Sequence, residues 1–144
     1  MTKKKVLFIC VHNSARSQMA EAYLQKFAPD MFSAESAGLE PGKLNPVVVE
    51  VMKEDGIDIS GNKTKSVHDF IKQGKKYDYI ITVCDESAKE RCPVFPGNAE
   101  KMHWSFPDPS ALEGSARDRM EKTGKIRDDI RKKVLDWLGS LGQT

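Results

Sequence analysis

The sequence predicts a single α/β domain over residues 1–144, with a parallel sheet covered by helices on both faces. Three observations carry this. A short apolar run, Lys5-Val6-Leu7-Phe8-Ile9, breaks off into a polar loop. Strand-like and helix-like stretches then alternate along the chain. The C-terminal segment places Ile126, Ile130, Val134 and Leu138 on one helical face.

The elements follow in order. Lys5–Ile9 reads as a buried strand. From Ser17 to Phe27 the apolar residues Met19, Ala20, Tyr23, Leu24 and Phe27 recur at helical spacing. Phe32–Ser36 is a second strand, followed by Ala37-Gly38 and a loop with Pro41-Gly42. Pro46 opens a helix through Val47, Val48, Val51 and Met52, which Gly56 stops. A short helix at Val67–Ile71 precedes a strong strand at Tyr77–Val83. Residues 85–91 have room for about two helical turns before Pro93, and Pro96-Gly97 marks a turn. Glu100–Phe106 is the fourth strand, and the last helix carries Trp137 and Leu141 beside its apolar stripe.

Composition narrows the class. Apolar residues make up 39% and charged residues 31%, with 23 basic and 21 acidic side chains interspersed, which argues against a nucleic-acid-binding face. No apolar run reaches the ~20 residues of a membrane helix, and Met1–Lys5 is not followed by a signal-peptide pattern. The expectation is a cytoplasmic monomer without nucleic-acid or membrane partners. Three cysteines there are free thiols rather than a disulfide framework.

In open α/β sheets ligands bind beyond the carboxyl ends of the strands. The first strand ends at Cys10, and Val11, His12, Asn13, Ser14 and Ala15 lead to Arg16 and Ser17 at the start of a helix. Backbone N–H groups curling into a helix N-terminus make an anion cradle. Arg16 adds a planar fork for two anion oxygens. The same surroundings favour the thiolate of Cys10, the nucleophilic form, and Ser17 is placed to donate to it. Asn13 suits the left-handed backbone that such a curl requires. Asp108, between Pro107 and Pro109 after the fourth strand, is either the proton donor to a leaving oxygen or an ordinary Asp-Pro turn. His68 and His103 read as structural, and their spacing offers no metal site.

These residues carry a resemblance. Val6–Cys10 leading to Asn13-Ser14-Ala15-Arg16-Ser17-Gln18-Met19-Ala20-Glu21, then Ser36-Ala37-Gly38, Asp58-Ile59-Ser60, Thr82-Val83-Cys84, Cys92-Pro93, and His103-Trp104 before Asp108-Pro109, resemble the low-molecular-weight tyrosine phosphatase superfamily. Within it, the pair Cys84 and Cys92 resembles the thioredoxin-coupled arsenate reductases. The resemblance implies a four-stranded parallel sheet in the order 2-1-3-4. It implies that Cys10 attacks arsenate, with phosphate or sulfate as analogues, while Asp108 assists loss of water. Cys84 then resolves the arseno-thiol, Cys92 takes over the disulfide, and thioredoxin reduces it, with no tightly bound cofactor; the role is arsenic detoxification.

Spacing is consistent with such a relay. If strands one and three are neighbours, Cys10 and Cys84 end strands about 4.8 Å apart. Cys92, eight residues further on, would lie about 12 Å away along a helix, beyond the roughly 7 Å that a disulfide allows between Cα atoms. The polar segment Asp85–Arg91 is therefore expected to unwind or bend. The plainer reading makes Cys84 core filler and Cys92 a surface thiol.

Three departures stand out. Seven residues separate Cys84 from Cys92 where six are usual in the family. Asn13, Glu21, Ser36 and Thr64 match the ligand positions of potassium-binding members, but the acidic position two residues after Thr64 is Ser66, with Lys65 between. His12 replaces a small residue in the loop. The competing reading is a phosphatase that hydrolyses phosphate monoesters through a Cys10 phospho-enzyme, although Ser110 stands where an aromatic would flank a phosphotyrosine ring. A thiol-redox or oxyanion sensor is the non-enzymatic alternative.

Overall fold

A computed structural model describes residues 3–84 and 97–141. Its strands are β1 (Lys4–Cys10), β2 (Phe32–Gly38), β3 (Tyr79–Thr82) and β4 (Glu100–His103). They form one parallel sheet in the order β2-β1-β3-β4. The helices are α1 (Arg16–Phe27), α2 (Pro46–Glu54), α3 (Val67–Lys72) and α4 (Ala116–Ser140), with a 3-10 turn at Pro109–Ala111. No helix among the described residues is long and apolar enough to cross a membrane.

Alternation along β1 sorts its side chains to two faces. Val6, Phe8 and Cys10 join Met19, Tyr23 and Leu24 of α1, Val48 and Met52 of α2, and the Ile126–Leu138 stripe of α4 in the larger core. Leu7 and Ile9 face the other way, against Val67 and Phe70 of α3. An aromatic group of Phe32, Tyr79, Trp104 and Trp137 closes the end of the larger core, with ring centroids 5.2–6.3 Å apart.

Several element boundaries differ from the sequence reading, and three of them have a clear physical cause. β3 begins at Tyr79, not Tyr77: Tyr77 is buried in the smaller core, and Asp78 ties the strand entrance to β1, its N–H donating to Lys5 O at 2.8 Å. β4 ends at His103 rather than Phe106, because after Trp104 the backbone turns toward α1 and Phe106 gives its carbonyl to Arg16 at 3.1 Å. α4 begins at Ala116, ten residues before Ile126. Its first turns are polar, so no apolar stripe betrays them; the Ser115 hydroxyl caps them by accepting from Asp118 N–H at 3.1 Å. The reading of residues 85–91 as helix, and Pro93 and Pro96, lie outside the described residues.

Two features lock this frame. The Tyr23 hydroxyl donates to Asp55 Oδ2 at 2.6 Å, and Arg131 Nη1 reaches the same oxygen at 2.8 Å, so α1, the end of α2 and α4 meet at one carboxylate. At the sheet's carboxyl edge, Cys10 pairs with Gly38, and the loop after Cys10 crosses directly over that glycine. A Cβ there would lie 2.8 Å from Asn13 N and His12 C and 2.9 Å from Val11 O.

Both features are testable. The Tyr23 hydrogen bond, and then Arg131, hold the Asp55 carboxyl below the ordinary range. A depressed folded-state pKa contributes stability that is fully present above the unfolded value, about 4, and is lost as pH falls through the lower folded value. Urea unfolding of Asp55→Asn is expected to show lower stability at neutral pH and a flatter decline in acid; an unchanged acid slope would remove Asp55 from the account. Gly38→Ala is expected to destabilise by about 1–3 kcal/mol and to weaken phosphate binding, since backbone cannot step aside as a side-chain tip can.

Candidate functional site

Seven residues, Cys10 to Arg16, span from the end of β1 to the start of α1. The loop continues the sheet's hydrogen bonding: Leu39 N–H donates to Cys10 O, Glu40 N–H to Val11 O and Gly42 N–H to His12 O, at 2.7–3.2 Å. Its curl is set by Asn13, which is fully buried and has a φ of 55°, a left-handed conformation that Asn tolerates better than most residues. Lys65 N–H donates to Asn13 Oδ1 at 2.9 Å, and Gln18 Nε2 donates to the same oxygen and to Asn13 O.

That arrangement fixes the direction of the bonds around the thiol. Asn13 Oδ1 accepts, so Nδ2 is the atom that donates to Ser17 Oγ at 2.7 Å. With its lone pair so engaged, the Ser17 hydroxyl has its proton free for Cys10 Sγ, 2.9 Å away. Asn13 N–H donates to the same sulfur at 3.2 Å. Two donors aimed at one buried sulfur stabilise negative charge on it.

The first turn of α1 is open as well. Ala15 stands at its N-cap with no side-chain oxygen, so no side chain caps the first N–H groups. The helix dipole favours an anion at this end. Arg16 is buried, with Nη1 bonded to Phe106 O and Nη2 3.8 Å from Asp108 Oδ2. The other Asp108 oxygen accepts from Ser110 N–H at 2.9 Å, which orients the carboxylate. The structure thus brings Cys10, Arg16, Ser17 and Asp108 to one edge of the sheet.

Cys84 lies just past β3. Ile9 pairs with Thr82, and Val83 N–H donates to Ile9 O at 2.8 Å, so the chain carrying Cys84 leaves the sheet beside Cys10. Both cysteines are buried in the larger core. Cys92 lies outside the described residues.

The group matched to potassium ligands does not fit that ion. Lys65 Nζ stands 3.7 Å from Glu21 Oε1, and Ser36 Oγ donates to the same oxygen at 2.8 Å. Burial pushes the Glu21 carboxyl up, and the Lys65 ammonium and Ser36 hydroxyl act against that shift. Thr64 is turned away, its hydroxyl on Gly42 O at 2.6 Å, and Asn13 Oδ1 already holds two donors. An ammonium therefore supplies the positive charge at Glu21, and Ser66 leaves the acidic position neutral.

His12 lies outside the cradle. Its ring is exposed, and Nδ1 sits 2.8 Å from Glu40 O; a carbonyl only accepts, so Nδ1 carries the proton. His68 is exposed in the first turn of α3, and His103 Nδ1 is bonded to the Thr82 hydroxyl. Among the described residues no group of three His, Cys, Asp or Glu side chains gathers as a metal site.

Gln18 is the functional residue that sequence reasoning missed. It is fully buried, its amide nitrogen contacts Asn13 O, Asn13 Oδ1 and Lys63 O, and its oxygen accepts from Asn62. The amide braces the loop against residues 62–65. The only local signal is a long polar side chain immediately before the apolar Met19-Ala20 of α1.

Comparison with known proteins places this geometry. The model of the low molecular weight phosphotyrosine protein phosphatase family matches residues 5–144. An arsenate reductase of Halalkalibacterium halodurans is 39% identical over 134 residues, 93% of this chain and 94% of the relative. An arsenate reductase of Bacillus subtilis is 34% identical over 95% of this chain and 96% of its own. Among solved structures, an arsenate reductase in its oxidized state superimposes with a TM-score of 0.78 at 27% identity, covering 95% of this chain and 98% of that one. A low-molecular-weight tyrosine phosphatase from T. tengcongensis, at 24% identity and a TM-score of 0.77 over 96% and 99% of the two chains, shares the fold. By its loop, its sheet order and these matches, the chain belongs to the low-molecular-weight phosphotyrosine protein phosphatase family.

Proposed function

We propose that this protein reduces arsenate to arsenite through a relay of Cys10, Cys84 and Cys92, with thioredoxin as the reductant. The observation that carries the reading is the second thiol: Cys84 is buried in the same cluster as Cys10, where the neighbouring strand leaves the sheet. Ester hydrolysis has no use for it. The arsenate reductases of H. halodurans and B. subtilis, similar over nine-tenths of the chain, support the choice of substrate.

In this reading the uncapped N–H groups of α1 and the Arg16 fork hold arsenate over Cys10 Sγ. The thiolate forms an As–S bond, one arsenic oxygen leaves as water, and Asp108 supplies a proton to it. Cys84 then attacks Cys10 Sγ. An S–S bond forms, the electron pair of the As–S bond passes to arsenic, and arsenite departs. Cys92 attacks Cys84 and frees Cys10, and a dithiol such as thioredoxin reduces the Cys84–Cys92 disulfide. One chain contributes every group, so a monomer suffices, and the reducing cytoplasm supplies the thiols.

Rapid-quench measurement of arsenite tests the order of steps. Cys10→Ser and Cys84→Ser are expected to release none, whereas Cys92→Ser releases one per enzyme and stops with Cys10 joined to Cys84. Steady NADPH oxidation with thioredoxin and its reductase is expected only in the unaltered protein. Undiminished arsenate turnover in both Cys84→Ser and Cys92→Ser would falsify the relay. Hydrolysis of an aryl phosphate by all but Cys10→Ser, with no arsenate turnover in any of them, would replace this reading with the phosphatase.

The ion pair of Lys65 with Glu21 yields a further expectation. Replacing sodium by potassium at constant ionic strength is expected to leave the melting temperature unchanged. In Lys65→Ala it is expected to fall, equally in sodium and in potassium, because Glu21 loses its counter-charge. A potassium response in the unaltered protein would contradict the role given to the ammonium.

A further inference from the structure

On the far side of the Asp108 turn lies a cavity of about 320 Å³ that the proposed chemistry does not use. Leu44, Pro46 and Val47 form one wall, and Pro109 and Leu112 form another. Lys43 and Arg119 stand among its lining, both exposed, and neither forms an ion pair among the described residues. Among the described residues no carboxylate lines it. Thr123 also contributes to the lining; it is 1% exposed, and its Oγ1 has no hydrogen-bond partner.

Each observation constrains the occupant. Two cations without an ion-pair partner among the described residues, in a lining without a carboxylate, favour a negative charge. The remaining walls are apolar, and the volume lies at the lower end of the range for small-molecule sites. We propose that this cavity binds a small organic monoanion, a carboxylate on a short apolar body. Its charge meets Lys43 and Arg119, and its body packs on the Leu44–Val47 and Pro109–Leu112 walls.

The cavity is separate from the anion loop yet joined to it. Asn45 spends Oδ1 on the N-terminus of α2, accepting from Val47 N–H at 2.9 Å, and its Nδ2 donates to Ser110 Oγ at 3.0 Å. Asn45 N–H donates to Ser14 O at 3.0 Å, and Ser110 N–H holds Asp108. A molecule seated here rests against the back of the turn that orients Asp108.

Amide NMR with 4-phenylbutyrate as the probe tests the site. Saturable shifts are expected at residues 43–47, 109–112 and 119–123, and they are expected to persist with inorganic phosphate saturating the loop. The neutral 4-phenylbutanol is expected to bind more weakly. The double variant Lys43→Ala/Arg119→Ala, its fold verified by the same spectrum, is expected to lose at least about fivefold in affinity, the scale of charge-assisted contacts. Thr123→Val is expected to melt at a higher temperature without the probe, since it removes an unpaired hydroxyl. The proposal is overturned by any of four results: shifts confined to the Cys10 loop, displacement by phosphate, equal binding of the alcohol, or undiminished affinity in the double variant.

Discussion

Everything at the carboxyl edge of the sheet around Cys10 depends on one buried side chain, Asn13. Its backbone takes a conformation that most residues avoid, and its carboxamide makes the surroundings hold it there. Oδ1 receives Lys65 N–H and Gln18, Nδ2 gives to Ser17, and N–H gives to Cys10 Sγ. A single planar amide thus sets the curl of the loop, its attachment to residues 62–65 and the hydrogen-bond polarity around the nucleophile. Dense satisfaction of buried polar groups is what lets such a loop stay in shape without a bound anion.

The remainder of the fold serves to carry that loop. β1 lies at the centre of the sheet, between β2 and β3, so both of its neighbours end beside the cradle. Gly38 lets the loop pass over β2 at backbone distance, and β4 ends early so that Phe106 and Asp108 turn in toward Arg16. Far from this edge, Asp55 gathers α1, α2 and α4. Rigidity at one end and placement at the other come from different residues.

Much of this was legible in the sequence because periodicity and loop position are local. The apolar run before Cys10, the spacing to Arg16 and the helix after it located the cradle, and the C-terminal stripe located α4 from Ile126 onward. What escaped was either polar or long-range. The first turns of α4 carry no apolar stripe, so only the Ser115 cap marks their start. Gln18 matters through partners 44 and 45 positions away, which no local pattern reveals. The ends of β3 and β4 are set by Asp78 bonding Lys5 and by Phe106 bonding Arg16, contacts that exist only once the sheet is assembled.

The single proton of Ser17 has a consequence for departure rather than attack. In the proposed relay charge returns to Cys10 when Cys92 displaces it from Cys84, and its quality as a leaving group depends on how well that charge is received. Ser17 cannot turn its proton elsewhere, because Asn13 Nδ2 already occupies the opposite side of its oxygen. The hydroxyl therefore waits at 2.9 Å for charge to return to Cys10. In the proposed relay, the step this hydroxyl serves is the disulfide exchange that frees Cys10, after arsenite has departed.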